Sequence, residues 1–501
     1  MEAAVAYYNG TGKKKFLDIM CRFANLICET FGFEEGKIHG YPGHQEVEIG
    51  LVKLYHATGE RKYLDQAKYF IDARGVGENY FLKEMKKPGY KMIFPEFANY
   101  DTKYSQSHLP VREQKTAEGH AVRAVYMYSA MADIAYEYQD QELMKACETI
   151  WKNIVGKRMY LTGGIGSSGI LERFTTDYDL PNGYNYAESC ASIGLAMFGM
   201  RMAQITKDAR YADVVERALY NTVLAGIALD GKGFFYVNPL EVWPASCMER
   251  TSKEHVKPIR QKWFGVACCP PNIARTLASL GQYIYSWDKE TQELYLNLFV
   301  SSETSVVGEQ GEIKVKVETK FPWEMKVNLT VENTTGKPVK TAIRVPDYAQ
   351  DYKVICNGQE ISFEKVNGYA QIVVEDYLKA EITFTAPARF VRANPKVRED
   401  AGKTAIVRGP LVYCLEQADN GENLSAISVD TTQELQTENS DLFGGSVLIK
   451  GKGRRLCEED WSEGLYGEEK LPEKEIDITA VPYFCWNNRG IGEMEVWIRE
   501  K

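Results

Sequence analysis

The sequence predicts a multidomain α+β protein in which a helical barrel of the (α/α)6 type precedes antiparallel β-sandwich domains. The chain has 501 residues, too many for one ordinary hydrophobic core. Apolar residues recur with helical spacing as far as about residue 285, and segments that alternate with period two follow from about residue 290. This change of pattern predicts a helical domain over 1–288, a β-sandwich over 289–398 and a second β-rich domain over 399–501.

The helical half contains a loose repeat in which one helix ends, a short polar turn follows and an antiparallel partner begins. About nine helices are predicted on this pattern: 2–9, 13–32, 44–58, 60–73, 118–138, 140–155, 189–206, 208–225 and 271–285. Stacked hairpins form a solenoid or a closed toroid, and the long aromatic-rich loops between them favour a toroid with a lined central pocket. A closed ring of six hairpins needs twelve helices, so we expect the barrel to be incomplete at its N-terminal end.

The β half is indicated by six alternating segments separated by turn residues: ELYLNLFV, EIKVKVETK, KVNLTVEN, KTAIRVP, AQIVVED and AEITFTAP. Such a series is typical of an antiparallel β-sandwich. The segments GKTAIVRGPLVYCLEQ, AVPYFCWNN and GEMEVWIRE extend the β pattern towards the C-terminus. The stretch at about 418–472 is polar and irregular, and we expect it to be a loop-rich part of the second β domain.

Composition excludes several classes of function. The net charge is −9 without a basic block, which gives nucleic acid no binding surface. No apolar run reaches membrane-spanning length, and the N-terminus lacks a charged-then-apolar signal. The eleven cysteines, without short regular spacing, argue against a secreted disulfide scaffold, so we expect a cytoplasmic protein. A homodimer is compatible with the sequence, which leaves the oligomeric state open.

The strongest chemical signal is the pair Cys268-Cys269, which precedes Pro270 and Pro271 in FGVACCPPNIART. Neighbouring cysteines rarely form a disulfide with each other, because the ring would strain the backbone. Two adjacent thiolates suit a soft metal such as zinc. We expect Pro270 to hold Cys269 extended, and both prolines to begin the helix that follows. For this pair alone, two buried structural cysteines are the alternative interpretation.

Further ligands for a metal are available in the segment NGYNYAESCASI, which contains Glu188 and Cys190. In an extended segment residues i and i+2 share a face, so we place Glu188 just before a helix, with Ser189 as its N-cap. Together with the cysteine pair, these side chains supply three sulfurs and one carboxylate, enough for a four-coordinate zinc site. Taken alone, this motif also fits an ordinary helix start.

Other polar candidates are more scattered along the chain. His44 and His120 both stand where predicted helices begin and could face the mouth of a toroid, although such histidines more often serve the helix start or the core. Glu172 lies in the glycine-rich loop TGGIGSSGILERFTTDYD, where a merely solvated carboxylate is the alternative. The glycines do not form a phosphate loop, because the GK[ST] ending is missing.

Several longer motifs carry a resemblance to a known family. LERF, YAESCASI, FFYVNPL, WFGVACCPPNIAR, VRGPLVYCLEQ and WNNRGIGEMEVWI occur in this order along the chain. Together they resemble glycoside hydrolase family 127, the β-L-arabinofuranosidases, and the closely related family 146. The resemblance implies an (α/α)6 barrel followed by β-sandwich domains, with Zn²⁺ as cofactor. Family members carry additional sequence upstream of MEAAVAYY, so we expect the first barrel helices and a further pocket histidine to be missing here.

The resemblance also implies roles for individual residues. The zinc ligands that it implies are Glu188, Cys190, Cys268 and Cys269. The side chains that it places around the sugar are His44, His120 and Tyr236. Cys268 becomes the nucleophile and Glu172 the general acid/base of an enzyme that releases L-arabinofuranose from β-L-arabinofuranosyl glycans or glycosides. Two successive displacements would retain the anomeric configuration, and zinc would keep the attacking sulfur ionised.

Alternative functions remain open at the level of sequence. A catalytically impaired sugar-binding or structural relative would result if the missing helices leave the pocket open. The same scaffold could also serve another furanose or a branched acid sugar, because pocket loops decide specificity. A zinc hydrolase that uses metal-bound water is disfavoured, since the H-x-E…P-C-x-x-C pattern is absent and four protein ligands leave no open position.

Overall fold

The computed structural model describes residues 1–307, 311–461, 464–468 and 470–501. The chain folds into two compact units that alternate along the sequence. The first unit contains three segments, Met1–Tyr160, Ile165–Asp179 and Gly194–Ile205, and the second contains Leu161–Gly164, Leu180–Ile193 and Thr206–Lys501. Within the described residues, no helix is long and apolar enough to span a membrane.

The first unit is helical, and short turns join its helices into hairpins. Its helices are α1 (Glu2–Thr11), α2 (Lys15–Thr30), α3 (Val47–Thr58), α4 (Arg61–Ala73), α5 (Tyr80–Met85), α6 (Ala121–Glu137) and α7 (Gln141–Asn153). Gly12 and Gly59 adopt left-handed conformations directly after α1 and α3, which ends each helix and allows its partner to begin. The apolar face predicted for α6 is buried at Val122, Val125 and Ala130. The helical hairpins predicted from the sequence are confirmed.

Four further helices follow along the sequence. They are α8 (Ser189–Thr206), α9 (Ala209–Ala218), α10 (Cys269–Ala278) and α11 (Gly281–Ile284). The single helix predicted over 271–285 is therefore wrong in detail, because two short helices occupy that stretch and a strand begins at Tyr285.

The middle of the second unit contains two sheets. Their strands are β2 (Tyr285–Asp288), β3 (Glu293–Leu296), β4 (Ser302–Val307), β5 (Glu312–Thr319), β6 (Lys326–Asn333), β7 (Val339–Arg344), β8 (Gln350–Cys356), β9 (Gln359–Ile361), β10 (Glu364–Val366), β11 (Tyr369–Val374) and β12 (Tyr377–Thr385), while β1 (Glu241–Val242) belongs to the C-terminal sheet. One sheet has the order β10-β11-β7-β3-β2 and the other β4-β5-β6-β12-β8-β9. Strands β3 and β7 pair in parallel, whereas their neighbours pair antiparallel. All six strand segments predicted for this region are confirmed.

The C-terminal sheet follows as β13 (Arg389–Val391), β14 (Lys403–Arg408), β15 (Leu411–Glu416), β16 (Ile427–Val429), β17 (Gln436–Ser440), β18 (Ser446–Leu456), β19 (Glu473–Pro482), β20 (Met494–Glu495) and β21 (Ile498–Glu500), with the short helix α12 (Gln417–Asn420) after β15. Pairing runs in a closed circuit from β14 through β15, β19, β18, β16 and β21 back to β14. Tyr413, Ile449 and Ile478 are buried in its core.

The prediction of a loop-rich region over about 418–472 is wrong in part, since β16, β17 and the whole of β18 lie there. Residues 462, 463 and 469 of this stretch lie outside the described residues. The second half of β18, KGKGRRL, is too charged to show an alternating apolar pattern. It is held as a strand by its pairing with β19, which continues from Ile449 to Leu456. Tertiary pairing therefore decides the structure where local propensity does not.

Candidate metal centre and active site

Four side chains of the second unit converge on one point, and they are Glu188, Cys190, Cys268 and Cys269. The sulfur of Cys268 lies 3.4 Å from that of Cys190 and 3.8 Å from that of Cys269. Oε1 of Glu188 lies 3.2 Å from the Cys268 sulfur and 3.3 Å from the Cys269 sulfur. Tetrahedral sulfur ligands about 2.3 Å from a zinc ion stand about 3.8 Å apart, so the cluster has the dimensions of such a site.

Burial and charge also suit a cation. Glu188, Cys190 and Cys269 are at most 2% exposed, whereas Cys268 is exposed. Hydrogen bonds from Cys190 and Cys269 lower the pKa of the Cys268 thiol. The contact between Cys190 and Cys268 in turn raises the pKa of Cys190. Burial raises the pKa of Cys269 well above its usual value. A carboxylate and thiols that share a desolvated space repel one another when ionised, and a bound cation relieves that cost.

Helix α10 presents the cysteine pair to the cluster. The helix begins at Cys269 and Cys268 occupies the N-cap position, so the sulfurs lie at the positive end of the helix dipole. The expectation that Pro270 holds Cys269 extended is wrong, because Cys269 is already helical. Proline is tolerated in a first turn since the amide that it lacks has no intrahelical acceptor there.

Glu188 is held by a neighbouring extended segment, with which it forms an antiparallel bridge at Val237. It stands just before α8, as predicted. The expectation that Ser189 caps this helix is wrong: Ser189 is its first residue, and its hydroxyl donates to the carbonyl of Phe235 at 3.0 Å. The backbone pairing thus holds Glu188 at the start of α8, where its carboxylate meets the three cysteine sulfurs.

Asn238 secures this segment from both sides of Glu188. Its buried amide donates 3.0 Å hydrogen bonds to the carbonyl of Ala187 and to the hydroxyl of Ser189. Ala187 has a positive φ of 40°, an unfavourable conformation that such contacts stabilise. Asn238 therefore positions a ligand without touching the metal position.

Replacing Asn238 with alanine is expected to weaken metal binding about 10- to 100-fold, the usual effect of losing a group that orients a ligand. The dissociation constant, measured by competition with a chromophoric chelator, checks this. As a control, Asn297→Ala removes a buried asparagine whose amide donates to Ser286 instead, and should leave metal affinity unchanged. Equal metal affinity in Asn238→Ala and the unmodified protein would contradict the positioning role.

Tyr236 lies directly beside the exposed cysteine, with its hydroxyl 2.9 Å from the Cys268 sulfur. Burial and the charge of Glu188 raise the pKa of Tyr236, so the phenol stays protonated and donates to a thiolate. The structure therefore places this sequence-predicted residue beside the cluster of Glu188, Cys190, Cys268 and Cys269.

Two rings that the sequence did not indicate, Phe264 and Tyr186, pack against Tyr236, and a third, His255, packs against Tyr186. Phe264 lies 5.4 Å from the Tyr236 ring centroid and Tyr186 lies 6.3 Å from it, while His255 packs 5.9 Å from Tyr186. Tyr186 stands two residues before Glu188 in the motif YAESC, and that proximity in sequence is the one signal that could have indicated it. His255 has no such signal, since tertiary folding alone brings it here.

The remaining predicted residues, His44, His120 and Glu172, come together in the first unit. His120 caps α6, and its Nδ1 accepts a hydrogen bond from the amide of Arg123 at 3.3 Å. Nε2 therefore carries the proton and donates to Oε2 of Glu172 at 2.7 Å. The His44 ring lies 5.9 Å from His120. His44 precedes α3 by three residues rather than opening it, because that helix begins at Val47.

The loop that carries Glu172 is held in an unusual conformation. Leu171 and Glu172 both have left-handed backbones, with φ of 57° and 53°. Arg173 anchors the loop through a bridge to His120 and an ion pair with Asp101 at 2.9 Å. Strained backbone of this kind costs energy and concentrates at functional sites. Its strained conformation and its bond to His120 favour a specific role for Glu172 over that of a merely solvated carboxylate.

Three models of known protein domains match successive parts of this chain. The model described as beta-L-arabinofuranosidase, GH127 catalytic domain, matches residues 1–282. The chain belongs to glycoside hydrolase family 127. The GH127 middle domain matches residues 293–388, and the family's C-terminal domain matches residues 388–499. The α/α-barrel fold followed by β domains is confirmed for this GH127 member.

Similar proteins cover this GH127 chain from end to end. The non-reducing end beta-L-arabinofuranosidase of Bifidobacterium longum subsp. longum is 38% identical, over 100% of this chain and 77% of its own length. The structure of a GH127 beta-L-arabinofuranosidase from Geobacillus stearothermophilus T6 matches with a TM-score of 0.95 and 46% identity, over 100% of this chain and 79% of that one. Another solved GH127 beta-arabinofuranosidase matches with a TM-score of 0.86 and 36% identity, over 100% and 75% of the two chains.

Proposed function

We propose that this glycoside hydrolase releases L-arabinofuranose from the non-reducing end of β-L-arabinofuranosides, with Cys268 as nucleophile and Glu172 as general acid/base. The family, and the activity named for two relatives of high coverage, support the substrate class. The difference in burial among the four clustered side chains is the observation that supports Cys268 as the nucleophile. Cys268 is exposed while the other three are buried, so its sulfur is the one that a sugar carbon can approach.

We propose zinc as the metal that Glu188, Cys190, Cys268 and Cys269 hold. Three sulfurs with one carboxylate, at tetrahedral spacing, suit zinc better than a hard cation, which prefers oxygen ligands. When bound, zinc would supply the positive charge that keeps the clustered thiols ionised at neutral pH.

In the first step, the Cys268 thiolate attacks the anomeric carbon and the bond from that carbon to the leaving oxygen breaks. Glu172 gives its proton to this oxygen, and a thioglycosyl enzyme remains. In the second step, Glu172 takes a proton from water, the water oxygen attacks the anomeric carbon, and the carbon–sulfur bond breaks. Each displacement inverts the carbon, so the β configuration is retained overall.

Neighbouring side chains assist each step. The His120 Nε2–H donates to Glu172 and so orients its carboxylate. The Tyr236 hydroxyl donates to the Cys268 sulfur, which stabilises the thiolate that departs in the second step. We propose that these two residues and His44 also hydrogen-bond the hydroxyls of the arabinofuranose ring.

Metal removal tests the cofactor assignment. The purified protein is expected to contain one zinc per chain by inductively coupled plasma mass spectrometry. Chelation should abolish hydrolysis of p-nitrophenyl β-L-arabinofuranoside, because the Cys190 and Cys269 thiols, whose pKa values are raised, become protonated and the ligand set that holds Cys268 is lost; added zinc should restore it. Glu188→Gln serves as the matched variant, since it lacks one ligand and should lose zinc at a lower chelator concentration. Full activity in protein shown to be free of metal would contradict the proposal.

The same assay separates the substrate alternatives. Hydrolysis of another furanoside in preference to the β-L-arabinofuranoside would move the assignment to that sugar.

We further propose domain boundaries after residues 288 and 398, and a cytoplasmic location in which the eleven free cysteines stay reduced. A homodimer stays a prediction.

A further inference from the structure

The loop that carries His44 is held in the first unit by buried side chains that the proposed mechanism does not use. We call residues 41–46 the His44 loop; they come directly before α3, which begins at Val47. His44 itself is exposed, whereas Tyr41 and Gln45 on either side of it are buried. An exposed ring on a loop keeps a defined position only when the backbone around it is fixed by its neighbours.

Arg74 fixes the first half of the His44 loop. This arginine directly follows α4 and is 0% exposed. Its Nη2 donates to the carbonyl of Pro42 at 2.8 Å, and its Nη1 donates to the carbonyl of Ser105 at 2.9 Å. The guanidinium carbon also lies 4.6 Å from the centre of the Tyr41 ring. One planar side chain therefore joins the His44 loop to the segment at Ser105.

The second half of the His44 loop is tied to the same segment, which in turn is tied to His120. The Gln45 amide donates to the carbonyl of Ser105 at 2.9 Å and to the side chain of Gln106. The Gln106 amide donates to the carbonyl of His120 at 3.2 Å. These bonds connect the backbone around His44 with that of His120, so they set the separation of 5.9 Å between the two imidazole rings.

The charge partner of Arg74 is Glu48, which lies 3.8 Å away on α3 and is 1% exposed. No hydrogen bond to the carboxylate oxygens of Glu48 is found among the described residues. Burial lowers the pKa of Arg74 and raises that of Glu48, so it works against both charges. A buried ion pair contributes little to stability compared with apolar side chains of similar size. The bonds that Arg74 makes to the two loops account for this residue better than stability does.

We propose that Arg74 is a positioning residue for sugar binding, which fixes the His44 loop at the distance from His120 where both rings reach hydroxyls of one furanose ring. The proposal rests on the proposed function, in which these two histidines bind the sugar. Without the guanidinium group, the carbonyls of Pro42 and Ser105 lose a shared donor and the first half of the loop loses its link to the segment at Ser105.

Replacing the ion pair with apolar side chains tests this role without leaving an unpaired buried charge. Arg74→Met alone should lower the Tm by about 10 °C, and adding Glu48→Leu should restore most of that loss. The double variant should still have a loosened His44 loop, so amide hydrogen exchange over residues 41–47, followed by mass spectrometry, should be about tenfold faster. KM for p-nitrophenyl β-L-arabinofuranoside should rise about tenfold while kcat changes little, because His44 does not touch the reacting atoms.

Two comparisons separate positioning from a general effect on folding. In a His44→Ala background, the same double change should add no further rise in KM, since the group that it positions is already gone. Arg201→Met with Asp133→Leu removes a 2.8 Å ion pair between α8 and α6. This control should leave both the exchange of the His44 loop and KM unchanged.

Unchanged exchange in the His44 loop of the Arg74→Met, Glu48→Leu variant would overturn the inference, and so would an equal rise in KM with and without His44. If that variant does not fold, Arg74→Lys keeps the charge beside Glu48 but lacks the planar fork, and the same two measurements apply to it. Absence of hydrolysis by the unmodified protein would instead contradict the proposed function, and the exchange measurement would then decide the inference by itself.

Discussion

Cys268→Ser is expected to lower kcat/KM for p-nitrophenyl β-L-arabinofuranoside by about 10⁴-fold or more, the scale of loss when an enzyme's nucleophile is removed. A serine hydroxyl is far less ionised than a thiol and attacks carbon poorly at neutral pH. Three ligands, Glu188, Cys190 and Cys269, remain in this variant, so it should still bind metal. Steady-state kinetics and metal analysis on the same preparation check both expectations.

Cys269→Ser separates nucleophile loss from ligand loss. The Cys269 sulfur is buried beside Glu188, so its removal should weaken the metal site without removing the attacking group. We expect excess zinc to recover part of the activity of Cys269→Ser and none of that of Cys268→Ser. Cys457→Ser, which alters a cysteine outside the cluster, should behave as the unmodified protein. Cys268→Ser with more than a tenth of normal activity would contradict the thiolate mechanism.

Glu172→Gln is expected to lower kcat by about 10²- to 10⁴-fold, the usual contribution of a general acid or base. The loss should depend on the leaving group. A p-nitrophenolate departs with little protonation, so the first step survives while the second, which needs a base, is slowed. A methyl glycoside needs the acid as well, and its hydrolysis should fall further.

The leaving-group comparison also provides the control for Glu172. Glu142→Gln changes an exposed carboxylate on α7 in the same unit and should leave both substrates unaffected. Equal losses for the aryl and the methyl glycoside in Glu172→Gln would argue that the residue only supports the fold. Unchanged kinetics would remove it from the mechanism.

Local sequence signals predicted much of the fold because several elements satisfy their own requirements. Gly12 and Gly59 end helices in a conformation that suits glycine, and the period-two strands of the middle sheets bury one face each. The charged half of β18 lacked such a signal, because its residues do not alternate and only its tertiary pairing with β19 makes it a strand. Local propensity cannot report a partner that lies far away in the sequence.

The candidate site was predictable where motifs carried chemistry. Two adjacent cysteines before prolines and a Glu-x-Cys segment indicated a soft-metal site, and these four side chains do converge. The sequence did not reveal the groups that position them: Asn238 acts through the backbone around Glu188, and His255 reaches Tyr186 only through folding. Ser189 was predicted to be the N-cap of α8, but its hydroxyl donates to the carbonyl of Phe235, which is far away in the sequence.

Trapping the covalent intermediate tests the central claim most directly. Glu172→Gln incubated with p-nitrophenyl β-L-arabinofuranoside should accumulate the thioglycosyl enzyme, since its second step lacks a base. Intact mass spectrometry is predicted to show the added mass of one pentosyl group, and peptide mapping should place it on Cys268. The double variant that also carries Cys268→Ser should show no addition. A pentosyl group found on a carboxylate, or an α-configured initial product from the unmodified enzyme, would contradict the account.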